Sequence, residues 1–456
     1  MTTKKKIVLK AAGHLPAIRQ AIRKIQDAGV EMSDTIGRLA EPPLKEFKSS
    51  RMLADFLTRL GFNVTWPWKK LPTAFRATIG AGRPRICLLA EYDALPDCGL
   101  ESGQWGHGCG HNLLGVGAAM AGAAAAQVAA AGGIKGTIDV IGTPAEETLG
   151  GKVFIGEFGG FDGYDAAVAW HPGGMNIVDG GGLTAMDSLL FQFKGRTAHA
   201  ASKPHEGRSA LDGALLMDVA VNFLREHVED NCRMHCVIVN GGKAPNVVPD
   251  TASIWYYIRG KDRAQVDALR SRVVDCAKGA ALATGTAWQM DVLTCCTERL
   301  PAVLGNQVMH AAMTRCGAPK FTPADVKAAR QLNPRAEFHT KIDEIRTRQV
   351  SGSSDEDNVS WFAPLVKFWM ACVPRGTIAH HRTYAAMTEL SGAHRGMLKA
   401  AETMSLMTLE MMTNAPLLKS MRAEFKKNLK GKRYSVPLSK RAIELSDAMA
   451  EWSRPK

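Results

Sequence analysis

The chain lacks the cysteine density of a small, disulfide-stapled secreted domain: its ten cysteines are scattered over 456 residues. Its first residues, MTTKKKIVLKAAGHLPAIRQ, are charged but hold no sustained apolar core or cleavage pattern. Reduced thiols and a cytoplasmic location are the expectation. Long apolar runs are nearly absent as well. The one candidate, AAMAGAAAAQVAAAGG from Ala118, is built of small residues and interrupted by Gln127, which fits a close-packed buried helix better than a membrane span. Aromatic residues make up only 7% of the chain, and none interleaves the basic runs KKK, KKNLKGKR and SKR. The net charge of +13 is therefore read as solvated surface with a leaning toward anionic small substrates, not as a nucleic-acid interface. There is no internal repeat and no low-complexity linker.

What is present is enough chain for two compact units, with 46% hydrophobic residues to build their cores. From Ile18 to Leu60 apolar residues recur at helical spacing, and FNVTW after Gly61 alternates like a strand. RICLLAEYDALP, GTIDVIGTPAEE and DAAVAWHPG are apolar strands that each end in acidic or histidine residues, with the Ala-rich helix among them. This alternation predicts an α/β catalytic domain with a mixed, mainly parallel sheet flanked by helices and a site along its C-terminal edge. The rhythm changes near residue 186. SLLFQFKGRTAHAA reads as a strand, Arg208 to His227 as a helix, CVIVNGG and ASIWYYIRG as strands, and Arg263 to Thr284 as a helix. We read a catalytic domain in two pieces, 1–185 and 299–415, an inserted α+β domain over 186–298, and a basic C-terminal extension over 416–456.

The stretch WGHGCGHN places His107, Cys109 and His111 at alternate positions on a glycine-rich backbone. Glu146 and Glu147 in TPAEET leave the end of a strand with no neighbouring base to neutralise them, and His171 stands at another strand end in AWHPGG. Paired glutamates are commonly solvated and a lone histidine is commonly a core residue, but here Cys109, His111, Glu147 and His171 all fall at ends of strands expected to be neighbours. A thiolate, imidazoles and a carboxylate suit zinc, manganese or cobalt rather than magnesium. The second carboxylate would manage the proton of an activated water. A further ligand from the second half of the chain is offered by GTIAHHRTY, as His380 or His381.

EYDALP, GHGCGHN, TPAEE, WHP, TAHAA followed by GRSALD, APNVVPD and SSDEDNVSW together resemble the aminoacylase/carboxypeptidase family of metallohydrolases, and within it the branch that contains the B subunit of aminobenzoyl-glutamate hydrolase. The likeness runs from about residue 15 to the tail. It implies one or two divalent ions held by Cys109, His111, Glu147, His171 and His380, with Glu146 as general base and Asp93 as a carboxylate orienting a ligand. It also implies a ferredoxin-like inserted domain that serves as lid and dimerisation surface. In that domain His199 would reach the active site of a neighbouring subunit, and Asn246 and Arg259 would clamp a substrate carboxylate. The expected assembly is a homodimer or higher homo-oligomer.

Two departures stand out. Gly108 occupies a position where alanine is common, and Glu356, Asp357 and Asn358 make SSDEDNVSW more acidic than is usual for the branch, in a turn expected to face the substrate. The expected chemistry is hydrolysis of the amide bond of an N-acyl or aminobenzoyl amino acid by metal-activated water. Two alternatives stay open: hydrolytic deamination of an aromatic amine, as in members resembling nitroanthranilate aminohydrolase, and a non-catalytic partner subunit that kept the fold.

Overall fold

The structure is a computed structural model that describes residues 7–147 and 150–452. The basic run Lys4 to Lys6 and the last four residues lie outside the described residues. The strands are β1 (Asn63–Thr65), β2 (Phe75–Ala81), β3 (Arg85–Ala90), β4 (Gly136–Gly142), β5 (Ala166–Gly173), β6 (Ile177–Val178), β7 (Ala185–Lys194), β8 (Arg233–Asn240), β9 (Thr251–Gly260), β10 (Ala287–Cys296) and β11 (Leu365–Ala371).

Seven of them form one mixed sheet in the order β1-β2-β4-β3-β5-β11-β6. Its central strands β4, β3, β5 and β11 run parallel, and the outer pairings are antiparallel. Parallel strands buried on both faces read as continuous apolar runs, and RICLLA, GTIDVIG and AAVAWHPG are buried almost throughout. One face packs against helices Leu15–Leu39, His111–Ala131 and Ser391–Thr413, and the other covers Phe154, Phe161, Val359 and Leu365. Helix His111–Ala131 is long and apolar enough to cross a membrane, yet 89% of its most apolar window is buried inside the protein.

The helical pattern of the first 60 residues is two helices, Leu15–Leu39 and Phe47–Arg59. The periodicity runs through the interruption, but Pro42 and Pro43 cannot continue a helix, and Ala40 closes the first one in the left-handed region at φ 42°.

The second sheet is fully antiparallel, ordered β10-β7-β9-β8, with helices Ala210–Leu224 and Arg263–Thr284 packed on one face. This is the βαββαβ ferredoxin-like arrangement, and β10 is a strand that the sequence reading did not separate from its surroundings. Here β7 stops at Lys194, earlier than expected, because TAHAA leaves the sheet. That segment is tied to the loop before β9, with Val248 N–H donating to Ala198 O (3.0 Å) and Ala200 N–H to Asn246 O (3.1 Å).

The C-terminal extension is not a loose tail. After helix Ala415–Leu429 the chain returns along both domains. Tyr434 packs on Phe362 and accepts a hydrogen bond from Asn358 Nδ2 (2.9 Å), and Ala442 joins the catalytic core. Ser439 pairs with Val292 of β10 in both directions (2.9 and 3.1 Å), while Leu445 packs on Leu190 and Leu293 of the second sheet.

Candidate metal centre

The loops that leave the C-terminal ends of the four parallel strands converge. Glu91 and Asp93 follow β3, Glu146 and Glu147 follow β4, His171 lies in the last turn of β5, and His380 follows β11. Cys109 and His111 arrive on the loop that opens helix His111–Ala131. The geometry of that loop explains its glycines. Gly110 sits at φ 83°, and a Cβ on Gly108 would lie 2.7 Å from Cys98 Sγ and 3.1 Å from His380 Cα. A side chain at 108 would thus press on both the Cys98 side chain and the His380 backbone, which suits glycine there.

Three overlapping groups, Cys109/His111/His171, Cys109/Glu147/His380 and Glu91/His111/Glu146, each bring their donor atoms within 4.8 Å of one another. The histidine tautomers are set by what their far nitrogens do. His111 Nδ1 donates to Asp93 Oδ1 (2.9 Å), and Asp93 Oδ2 accepts from Glu147 N–H (2.9 Å). This leaves His111 Nε2 directed at Glu91 Oε2 (3.2 Å) and Glu147 Oε1 (3.8 Å). His171 Nδ1 donates to Pro172 O (2.7 Å), which turns its Nε2 lone pair to Cys109 Sγ at 3.3 Å. His380 Nε2 stands 3.5 Å from Glu147 Oε2, and its backbone N–H is anchored on Gly108 O (2.8 Å). His381 faces away and caps the next helix by accepting from Thr383 N–H (3.1 Å). His107 is also outside the group: it is buried against Ile36 O (3.1 Å), and burial pulls its pKa down to about 3.

The electrostatics are those of a cation site. Burial, with Glu146 and Asp93 nearby, holds the Glu147 carboxyl well above its usual range. Burial alone would lower the pKa of His111, but Glu91, Asp93 and Glu147 outweigh it and raise it well above the ordinary value. His171 is pushed well below it by burial and by Lys367 and His111, so it is neutral with a free lone pair. Burial and Glu147 also raise the Cys109 thiol. Among the described residues, His111 Nε2 and Glu147 Oε1 are buried with no hydrogen-bond partner. Such orphans are costly unless something fills the gap between them. A nitrogen, sulfur and oxygen donor set with a deficit of positive charge fits a divalent transition ion.

Several residues of this centre were not singled out from the sequence. Glu91 opens the EYDALP motif but carries no separate signal. Lys152 is fully buried, with its Nζ 2.7 Å from Glu91 Oε1 and 2.6 Å from Asp355 Oδ1. A single lysine after two glycines reads as surface. Ser354 donates to Glu146 Oε1 (2.7 Å).

The acidic turn is a correction. Glu356, Asp357 and Asn358 are buried and face inward, not toward a substrate. Glu356 pairs with Lys367, Asp357 binds Arg299 and Leu183 N–H, and Asn358 accepts from Thr297 N–H.

The residues expected from the inserted domain are not brought to this cluster together. Arg259 donates to Ser353 Oγ (2.6 Å), the neighbour in sequence of the Ser354 that donates to Glu146, and its guanidinium stands 5.6 Å from the Tyr257 ring centroid. His199 and Asn246 are exposed on the paired loops at the other end of β9. At about 3.3 Å per residue the strand separates Thr251 from Arg259 by about 26 Å. One chain therefore does not pair Asn246 with Arg259.

The chain is 33% identical to the B subunit of p-aminobenzoyl-glutamate hydrolase from Escherichia coli (strain K12), over 93% of its own length and 97% of that protein's. It belongs to the M20 family of metallohydrolases. It is also 30% identical to the Xaa-Arg dipeptidase of Mus musculus, over 90% of this chain and 92% of that one. Residues 182–284 match the family model described as a peptidase dimerisation domain. The fold is shared with a Bacillus subtilis protein described as a dinuclear metal binding peptidase from the M20 family, at a TM-score of 0.55 and 18% identity over 86% of this chain and 99% of that one. As a member of the M20 family the chain is a hydrolase acting on carbon–nitrogen bonds.

Proposed function

We propose that this chain hydrolyses the amide bond of an N-acyl or aminobenzoyl amino acid, with Cys109, His111, Glu147, His171 and His380 holding one or two zinc or manganese ions. The observation that carries the reading is the pair of orphaned ligand atoms, His111 Nε2 and Glu147 Oε1, buried 3.8 Å apart. When bound by these residues, a divalent ion would lower the pKa of a water from about 16 toward about 7 and offer positive charge to the substrate carbonyl. The remaining work falls to side chains. Glu146 has one oxygen hydrogen-bonded to Ser354 and the other turned to His111 Nε2 at 4.0 Å; it takes the proton of the attacking water and returns it to the leaving nitrogen. Asp93 keeps His111 in the tautomer that leaves Nε2 free. Arg259, hydrogen-bonded to Ser353, suits a carboxylate on the substrate.

A dimer is part of the proposal. Leu215, Val219 and Phe223 on helix Ala210–Leu224 are exposed apolar residues of the inserted domain, and Val237 and Ile238 are exposed on its edge strand β8. Burying them against a second copy would carry the His199 and Asn246 loops outward, toward a neighbour's site. The Escherichia coli relative is itself one of two kinds of chain, so a partner of different sequence is the other outcome of a sizing experiment.

The test combines metal analysis with a panel of p-aminobenzoyl-glutamate, N-acyl amino acids, dipeptides and aromatic amines, following the released amine or ammonia. Stoichiometric metal and chelator-sensitive amide cleavage are expected. Glu146→Gln should keep the metal and lose at least about 10² in kcat. A metal-free active enzyme, or ammonia released only from ring amines, would overturn the amide reading.

A further inference from the structure

We propose that Ser354 is the positioning residue that selects which oxygen of Glu146 receives the proton, through a turn locked by the buried Lys152–Asp355 pair. The inference rests on Glu146 being the base. Ser354 Oγ donates to Glu146 Oε1 at 2.7 Å, and Glu146 Oε2 is the oxygen turned to the centre, 4.0 Å from His111 Nε2. The hydroxyl thus occupies one carboxylate oxygen and leaves the other to the reaction.

Ser354 is itself held. Its Oγ accepts from Glu356 N–H (3.2 Å) through a lone pair, which leaves its proton for Glu146. The next residue, Asp355, accepts from both the backbone N–H (2.8 Å) and the Nζ (2.6 Å) of Lys152. Lys152 opens the helix that follows the Glu146 loop, so the same carboxylate ties the serine turn to the far end of that loop. The near end is tied elsewhere, with Glu46 Oε1 accepting from Ala145 N–H (2.9 Å) and Asp93 Oδ2 from Glu147 N–H (2.9 Å). Three buried carboxylates from separate segments thereby tie the backbone at Ala145, Glu147 and Lys152. Between the ties at Ala145 and Glu147 the Glu146 side chain retains its own torsions, and the hydroxyl of Ser354 restrains them. Held this way, the carboxylate needs no reorganisation before it accepts the proton, and that is how a positioned base contributes rate.

The experiment compares Ser354→Ala, Ser354→Thr and Glu146→Gln in metal-loaded enzyme, on the amide substrate turned over fastest in the panel above. Ser354→Ala should lower kcat about tenfold, the scale of one hydrogen bond to a charged group, with KM and metal content unchanged. Ser354→Thr, which keeps the hydroxyl, should recover most of the loss. Unchanged kcat in Ser354→Ala while Glu146→Gln is inactive overturns the positioning role alone, as does equal impairment of the alanine and threonine variants. Full activity in Glu146→Gln overturns the base assignment on which the inference stands.

Discussion

At the scale of single residues, Glu46 shows how much of the centre is held from beneath. It is fully buried, accepting from Thr73 Oγ1 (2.7 Å) and from the N–H of Ala145, a residue at φ 59° whose unfavourable backbone this tie helps to hold. Burial, with Asp93 nearby, raises its pKa from about 4.5 to about 8. The folded state therefore retains a proton that the unfolded chain gives up above about 4.5. The stability this contributes is fully present below that value and is lost as pH rises toward and through about 8. Glu46→Gln keeps the shape and the bond from Ala145 N–H, reverses the Thr73 bond so that the amide Nε2 donates to the hydroxyl, and removes the titration. Metal-free protein should then unfold in urea with a flatter dependence on pH between 5 and 8 than wild type, and a slope equal to wild type would show that the proton is held elsewhere. None of this was legible in the sequence, where Glu46 is one acid in a polar turn. Glu147 and His171 were legible because each falls where an apolar strand gives way to a polar loop, and Cys109 because it alternates with two histidines on a glycine-rich stretch. Lys152 and Asp355 were not, because a buried ion pair is written in the same letters as a solvated one.

The elements explain why the centre sits where it does. Helix His111–Ala131 has to approach the sheet closely enough to deliver His111 over the strand ends, and its small residues permit that. Gly115 is a point of close approach: a Cβ there would lie 2.4 Å from the carbonyl oxygen of Glu91, and backbone cannot swing aside as a side chain can. Gly115→Ala gains about 1 kcal/mol in helix propensity but forces an overpacking that costs about 1–3 kcal/mol. Thermal unfolding should show a net loss, and chelator competition a weaker metal site, since the displaced strand end carries Glu91 and Asp93. The same substitution at Gly279, on the exposed side of helix Arg263–Thr284 with nothing within 4 Å, should instead raise stability by about 0.5–1 kcal/mol. Unchanged metal affinity in Gly115→Ala would separate the helix from the centre. The strands and helices themselves were readable from period and punctuation, down to the bounds of Arg263–Thr284. Two further readings failed where partners elsewhere in the chain took over. TAHAA alternates like a strand but is drawn off by hydrogen bonds to a loop some fifty residues ahead, and the Glu356 turn, expected to face the substrate, is drawn inward by Lys367, which is near in sequence, and Arg299, which is distant.

For the whole molecule the informative distance is the length of β9. Arg259 at one end is hydrogen-bonded to Ser353, while His199 and Asn246 at the other stand in the open. A role for His199 therefore needs a second copy. Inactive His199→Ala protein and inactive Glu146→Gln protein, dissociated and reassociated together, should recover about a quarter of wild-type activity, because half of randomly formed dimers are mixed and each has one competent site. Verified mixed dimers that stay inactive would remove His199 from the reaction. The C-terminal segment bears on any such assembly in a mechanical way. It is fastened to one domain by Tyr434 and Ala442 and to the other by Ser439 and Leu445, so it works as a stay between two plates. Any change in the angle between the sheets must strain or release one of those fastenings, and a fusion placed at the C-terminus pulls on the joint between the domains rather than on a free end.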